Sequence, residues 1–182
     1  GHALCRGCRL RLRWSESAVE ALQGVPAWAP VLYEGPARAL VGGLKFRGAR
    51  GLAGELAAAI AAGAPAGLLR GALVPVPLAP RRRRERGYNQ AEALARALSE
   101  RTGLLVCAVL ERRGDRARQL GRGSRARLAQ APAFRARSLA PPRAVLVDDV
   151  ITTGATLAAC GGALRAAGAR EVAAVSYART PG

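Results

Sequence analysis

The chain has 182 residues, half of them hydrophobic, which is enough for one α/β domain with its own core. Its 29 basic and 12 acidic residues give a formal charge of +17, which favours anionic partners such as pyrophosphate, nucleotides or nucleic acid. No apolar run approaches the roughly 18 residues of a membrane span, and residues 1–13 are too basic for a signal peptide. We therefore expect a cytoplasmic protein with no membrane span.

The first 30 residues lack a clear apolar period and are predicted to form an irregular appendage. Within them, Cys5 and Cys8 have the Cys-x-x-Cys spacing of half a zinc ribbon. A structural zinc needs four ligands, and no second cysteine pair follows. His2 would be a third ligand; alternatively, a further pair upstream of residue 1 or on another chain would complete the site. The alternative is that this segment binds no zinc.

From residue 31 onwards, apolar runs of strand length alternate with amphipathic runs of helix length. This alternation predicts an α/β fold, with an open, mainly parallel sheet flanked by helices and right-handed crossovers. The predicted domains are therefore an appendage at residues 1–30 and an α/β domain at residues 31–182. Strands are predicted at 31–33, 72–76, 104–110, 144–148 and 171–177, and helices at 36–45, 52–62, 90–102 and 157–167.

Two arginine-rich segments interrupt the alternation. Residues 81–88 are predicted to be a loop after a buried strand, and the arginines at 81–84, taken individually, are typical of a solvated face. Residues 112–127 are predicted to be a mobile loop or a weak helix. Cys107 and Cys160 lie singly in apolar patterns and are interpreted as small core residues.

Residues 145–157 read Val-Leu-Val-Asp-Asp-Val-Ile-Thr-Thr-Gly-Ala-Thr-Leu, and they predict a strand, a loop and a helix start. The amides of a helix N-terminus and nearby hydroxyls bind phosphate well. Asp148 and Asp149 would repel that phosphate, so they should face sugar hydroxyls, a developing positive charge or Mg²⁺. The predicted ligand is a phosphorylated sugar. A capped helix after a buried strand is the alternative, but it leaves the two carboxylates unexplained.

This stretch departs from two other phosphate-binding patterns. No lysine follows Gly154, as a Walker A loop requires, and the Gly-x-Gly-x-x-Gly of dinucleotide-binding folds is absent. Residues 145–157 instead resemble the signature of type I phosphoribosyltransferases, which bind phosphoribosyl pyrophosphate (PRPP). The resemblance implies that fold, Mg²⁺ bound with PRPP, and Asp148 and Asp149 as a catalytic pair on the ribose hydroxyls. It assigns the 5-phosphate to a loop made of Thr152, Thr153, Gly154, Ala155 and Thr156.

Such an enzyme must also stabilise the pyrophosphate leaving group, for which arginines are suited. Arg86 is favoured because Gly87, Tyr88 and a helix-capping asparagine follow it directly. Lys45, the only lysine, would reach pyrophosphate or the acceptor, although a cation at a helix end is its ordinary interpretation. Arg118 would act in a lid over bound PRPP, together with Gln119 and Arg125; the alternative is a disordered basic loop.

Four features in order resemble the ComF family of competence-associated phosphoribosyltransferase-like proteins, over about residues 4 to 179. They are Pro75-Val-Pro-Leu, Arg86-Gly-Tyr-Asn-Gln90, Gln119-Leu120 with Arg125 downstream, and the PRPP motif. Leu44-Lys45-Phe46 and the cysteine pair resemble it too, although the family often has two such pairs. The resemblance implies a role in natural DNA uptake and transformation, with competence or recombination proteins as partners and no defined acceptor.

Three functions follow from these patterns. The first is transfer of a phosphoribosyl group from PRPP to an unidentified acceptor. The second is a non-catalytic protein that senses PRPP or a nucleotide, or binds single-stranded DNA; only 4% of the residues are aromatic, so stacking platforms for bases are sparse. The third is a zinc-ribbon adaptor for nucleic acid, which would require metal at Cys5 and Cys8.

Overall fold

The computed structural model describes residues 5–15, 19–45, 51–112 and 134–181. Among these residues, no helix has the length and apolar composition needed to cross a bilayer. The helices are α1 (Arg6–Leu10), α2 (Gly35–Leu44), α3 (Leu52–Gly63), α4 (Pro80–Arg86), α5 (Gln90–Thr102) and α6 (Ala155–Ala166). The strands are β1 (Glu20–Leu22), β2 (Val25–Trp28), β3 (Val31–Leu32), β4 (Ala72–Pro75), β5 (Leu110–Arg112), β6 (Phe134–Ala136), β7 (Arg143–Ile151) and β8 (Glu171–Arg179).

A six-stranded sheet forms the centre of the fold. Its order is β1-β2-β8-β7-β4, with β3 also paired to β8, and only the β1–β2 pair is antiparallel. β5 and β6 form a separate antiparallel pair. The predicted α/β architecture with a mainly parallel sheet flanked by helices is therefore confirmed. Because β4, β7 and β8 run in the same direction, their carboxyl ends meet at one edge of the sheet.

Apolar side chains cover both faces of this sheet. One cluster packs α2, α3 and α5 against Val145 and Val147 of β7. The other packs α6 and the β5–β6 pair against Ala144 and Leu146, the alternate residues of the same strand. Since successive side chains of a strand point to opposite faces, β7 is buried on both sides, as its continuous apolar run predicts.

The best-predicted helix is α5, whose bounds match the sequence prediction. Asn89 caps it, with its side-chain oxygen accepting a hydrogen bond from the Ala91 N–H at 3.1 Å. Gly103 ends it in the left-handed conformation, with φ of 72°. The helices predicted at 36–45, 52–62 and 157–167 are also confirmed, within one or two residues at each end.

The first 30 residues were predicted to be irregular, and this is wrong for residues 20–28. A two-residue turn joins β1 to β2, in which Gln23 and Gly24 both have positive φ, at 48° and 81°. Such a turn matches the twist of a hairpin. β2 then pairs with β8, so the predicted domain boundary at residue 31 falls between two strands, β2 and β3, of the same sheet.

Three further element predictions are corrected. Residues 81–88 are mostly helix rather than loop, because Pro80 opens α4 and Gly87, with φ of 74°, ends it. The strand predicted at 104–110 is reduced to one bridge between Val106 and Leu73, followed by β5. The strand predicted to end at Asp148 continues to Ile151, because β8 is equally long and pairs along its length.

Candidate functional site

Asp148 and Asp149 lie near the carboxyl end of β7, just beyond its last paired residue on β4. Asp149 is buried, and its Oδ2 accepts a hydrogen bond from Gln90 Nε2 at 3.2 Å. Asp148 is half-buried, and its Oδ1 accepts a hydrogen bond from the backbone N–H of Asp149 at 2.8 Å. The two carboxylates are therefore fixed by different partners, one by α5 and the other by the strand itself.

The electrostatics of this pair favour a proton or a cation. Burial, followed by the charge of Asp149, raises the pKa of Asp148 to about 8, although the backbone hydrogen bond and the charge of Lys45 act in the opposite direction. Burial, and secondarily the charge of Asp148, also raises the pKa of the Cys160 thiol on α6. A carboxyl group with such a raised pKa is one whose ionised form a nearby cation would stabilise, which the sequence alone did not indicate.

The segment after β7 forms an open turn at the start of α6. Gly154 occupies the N-cap position with φ of 76°, and no side chain caps this helix end. Residues 152, 153, 155 and 156 are exposed, and the Ala155 N–H donates to Thr153 Oγ1 at 3.4 Å. Backbone amides and threonine hydroxyls thus converge at an exposed helix N-terminus, an arrangement suited to an anion.

Gly154 is also required by its surroundings. A Cβ at this position would lie 2.8 Å from the Cβ of Leu22 on β1, which is too close for any side chain. The hairpin that the sequence assigned to an appendage therefore packs directly against the predicted phosphate loop. Its position constrains the path of that loop.

The α4–α5 corner contributes polar groups to the same edge of the sheet. Asn89 ties this corner to the end of β4, since its Nδ2 donates to the carbonyl of Val76 at 3.0 Å. Among the described residues, three buried polar side-chain atoms have no hydrogen-bond partner. They are Arg86 Nη1 at the end of α4, Gln90 Oε1 at the start of α5, and Ser176 Oγ on β8.

All three of these atoms belong to residues around the carboxylate pair. Gln90 contacts Asp149, Arg86 is the last residue of α4 at the corner that leads to Gln90, and Ser176 is the register partner of Asp148 on the neighbouring strand. Buried polar groups in proteins are almost always paired, so unpaired ones concentrated in one region indicate a place where a ligand completes the hydrogen bonding.

The structure brings together most of the residues that the sequence singled out. Asp148, Asp149 and the loop at 152–156 are consecutive, Lys45 at the end of α2 is near enough for its charge to act on Asp148, and Arg86 lies at the adjoining corner. Arg118 lies outside the described residues, as do the other lid residues predicted with it. The sequence analysis missed the roles of Gln90 and Ser176. Gln90 is the last residue of the Arg86-Gly-Tyr-Asn-Gln90 motif, but nothing in the sequence pointed to its contact with Asp149.

The carboxylate pair is compatible with Mg²⁺ that arrives with a phosphorylated ligand. Mg²⁺ in such sites takes one or two protein carboxylates and completes its shell with phosphate oxygens and water. Among the described residues, no group of three or more His, Cys, Asp or Glu side chains forms a cage for a metal alone. Two adjacent carboxylates, of which one has a pKa raised by burial and by the charge of the other, suit a Mg²⁺ ion that shares its ligands with a phosphorylated molecule.

Cys5 is the N-cap of the short helix α1, and Cys8 lies within that helix. The Cys8 N–H donates to Cys5 Sγ at 3.4 Å, and this hydrogen bond lowers the pKa of the exposed Cys5 thiol. Within the described part of the chain, no third ligand joins them, and His2 lies outside it. Zinc binding by this pair stays a prediction.

Comparison with known proteins supports the resemblance seen in the motifs. The chain is 35% identical over 107 residues to the competence protein ComFC of Streptococcus pneumoniae, a match that covers 58% of this chain and 47% of that protein. The chain therefore spans about half the length of this curated relative. No protein-family model matches the chain. The similarity therefore supports the resemblance to the ComF family over about half of each chain.

Proposed function

We propose that the chain binds PRPP with Mg²⁺ at the carboxyl edge of its sheet and transfers the phosphoribosyl group to an unidentified acceptor. The observation that carries this proposal is the buried Asp149, held by Gln90 beside the open N-terminus of α6. A phosphate site and a carboxylate pair next to each other suit a phosphorylated sugar.

Each part of PRPP has a counterpart at this edge. The loop at residues 152–156 would hold the 5-phosphate through amides and hydroxyls. Asp148 and Asp149 would accept hydrogen bonds from the ribose hydroxyls. Pyrophosphate would lie toward Arg86, whose buried Nη1 lacks a partner, and toward Lys45. Arg118 remains part of the proposal as a residue of the predicted lid.

In the reaction, the bond between ribose C1 and the pyrophosphate oxygen breaks, and its electron pair leaves with pyrophosphate. A nucleophilic atom of the acceptor forms the new bond to C1. Catalysis then rests on positioning and on charge. The carboxylates fix the ribose and face the positive charge that develops on it, while Arg86 stabilises the negative charge on the leaving group. Bound Mg²⁺ would neutralise phosphate charge.

A role in DNA uptake follows from the relative rather than from the site. The pneumococcal protein carries the name of a competence protein, and the similarity covers about half of its length. We therefore propose that the activity serves natural transformation, with competence or recombination proteins as partners. A cytoplasmic location is consistent with this role and belongs to the proposal.

The second candidate is a protein of the same fold that senses PRPP or a nucleotide, or binds single-stranded DNA, without turnover. One observation favours it: α4 carries four consecutive exposed arginines, at 81–84, on a chain with a formal charge of +17. Such a surface would bind a phosphate backbone, with an affinity that falls steeply as the salt concentration rises.

Calorimetric titration of PRPP with Mg²⁺ tests the first candidate without knowledge of the acceptor. The variants are Asp148→Asn/Asp149→Asn, at the site, and Glu171→Gln, which removes a carboxylate at the other edge of the sheet. We expect the double variant to lose PRPP binding and Glu171→Gln to retain it. Absence of PRPP binding by the wild type, with salt-sensitive binding of single-stranded DNA, would instead favour the second candidate.

A further inference from the structure

Gln90 is a buried glutamine with only half of its side-chain amide in use. The residue is 6% exposed, and its Nε2 donates to Asp149 Oδ2 at 3.2 Å. Its Oε1 is buried and has no hydrogen-bond partner. Gln90 is the first residue of α5, which Asn89 ties to the end of β4, so its position is fixed from both sides.

The orientation of this amide is determined by its neighbour. An ionised carboxylate such as that of Asp149 can accept hydrogen bonds but cannot donate them. The amide nitrogen of Gln90 must therefore face it, and the amide oxygen must point elsewhere. Turning the amide over would place two oxygens together and lose the contact. The unpartnered atom of Gln90 is therefore an acceptor, and only a hydrogen-bond donor satisfies it.

This requirement limits which part of a ligand can lie next to Gln90. Phosphate oxygens are acceptors and would leave Oε1 unsatisfied, whereas a sugar hydroxyl donates to one group and accepts from another. Asp149, directly beside it, is also an acceptor. Two adjacent acceptors, a carboxylate and an amide oxygen, suit neighbouring hydroxyls of a ribose.

We propose that Gln90 recognises the ribose: its Nε2 positions Asp149, and its Oε1 accepts a hydrogen bond from a sugar hydroxyl. This inference rests on the proposed function and assigns within it a residue that discriminates the sugar from the phosphate. Gln90 contacts the sugar, while its effect on Asp149 is one of positioning.

Two probes separate recognition of the sugar from recognition of the phosphate: ribose 5-phosphate and inorganic phosphate, each titrated into the full chain by calorimetry. Both engage the loop at 152–156, but only the first has hydroxyls. The variants are Gln90→Leu, which preserves the volume of the side chain, and Gln90→Met, which preserves its length. Glu92→Gln is the matched control: it changes a residue of the same helical turn, paired with Arg96 at 2.8 Å on the exposed side of α5.

We expect both Gln90 variants to bind ribose 5-phosphate about 10-fold or more weaker, as for the loss of a buried hydrogen bond, and to bind phosphate within about twofold of the wild type. Glu92→Gln should bind both probes as the wild type does.

The outcomes that would overturn the inference are distinct. Equal losses for both probes in both Gln90 variants would show that Gln90 only maintains the fold. Unchanged binding of ribose 5-phosphate would show that its Oε1 takes no part. If the wild type binds neither probe nor PRPP, the proposed function fails first and the inference fails with it.

Discussion

The two edges of the central sheet are both polar, but they differ in how their polar groups are paired. At the amino edge, a cavity of about 490 Å³ is lined by four arginines, one glutamate and apolar residues. Its groups are exposed and largely satisfied: Arg143 pairs with Glu171 at 3.1 Å, and Arg165 donates to the carbonyl of Gly24 at 2.8 Å. Water makes the remaining hydrogen bonds of such an exposed surface, at little cost in folding free energy.

The carboxyl edge has buried charges and unpaired atoms instead. Asp149 is 8% exposed, the pKa of Asp148 is raised by burial and by its neighbour, and the unpaired side-chain atoms of Gln90 and Ser176 lie close by. These features cost folding free energy unless a ligand compensates for them. For this reason we assign the candidate site from the state of the polar groups rather than from the volume of a cavity.

The largest effect on stability is expected from a side chain that crowds the predicted phosphate loop. Gly154→Ala would force a Cβ to within 2.8 Å of Leu22 at a φ of 76°. We expect it to lower the free energy of unfolding by about 2–4 kcal/mol, from backbone strain and overpacking. Gly162→Ala is the control, because a Cβ there meets open space on α6 and should stabilise the helix by about 0.5–1 kcal/mol. Urea denaturation measures both, and equal stability of the two variants would contradict the tight contact between hairpin and loop.

The arginines of the two edges should differ in their effect on anion binding. Arg86→Ala removes a guanidinium whose buried Nη1 lacks a partner, so we expect inorganic pyrophosphate to bind about 10–100-fold weaker. Arg70→Ala/Arg170→Ala removes two exposed cations from the amino-edge cavity and should change the affinity by less than about threefold. Calorimetry with pyrophosphate compares them. If the amino-edge variant lost more affinity, the anion site would lie in that cavity.

Local sequence signals predicted the parts of the fold that local contacts determine. The bounds of α5 follow from Asn89 and Gly103, and the exposed turn at the start of α6 follows from the threonines and the glycine after β7. The prediction of an irregular N-terminal segment failed because a strand as short as β2 is stabilised by pairing with β8, at the other end of the chain. No local pattern encodes that contact.

The sequence pointed to the two carboxylates and the threonine loop of the candidate site, but not to the neutral residues Gln90 and Ser176 around them. Asp148 and Asp149 are conspicuous because carboxylates are rare in an apolar run. Gln90 acts through a residue 59 positions away, so its role appears only when the fold brings α5 to β7. Likewise, the pKa of Asp148 depends on burial, which the sequence of a strand does not reveal.

A buried carboxyl group with a raised pKa makes stability fall as the pH rises. Folded Asp148 keeps its proton up to about pH 8, whereas the unfolded chain releases it near the ordinary value of 3.8, so stability is lost between these two values. Asp148→Asn carries no charge. We expect its Tm to equal that of the wild type near pH 4 and to exceed it at pH 8 by at least about 2–4 °C. This shift corresponds to about 1 kcal/mol in the free energy of unfolding. A constant difference across this range, measured by calorimetric melting, would exclude ionisation of Asp148 as the cause.

The smallest effect on stability is expected from Glu171→Gln, the matched change at the amino edge. Whether it raises or lowers the Tm distinguishes the two edges. Glu171 and Arg143 form an ion pair whose side chains are 64% and 55% exposed, so Glu171→Gln should lower stability by less than about 1 kcal/mol, and by less still in 1 M salt. Near pH 8, where folded Asp148 loses its proton, both substitutions remove a negative charge from a chain of formal charge +17, which by itself increases repulsion. A gain in Tm for Asp148→Asn alone would therefore come from burial at the carboxyl edge. An equal gain in Tm for Glu171→Gln would mean that burial does not distinguish the carboxylates of the two edges.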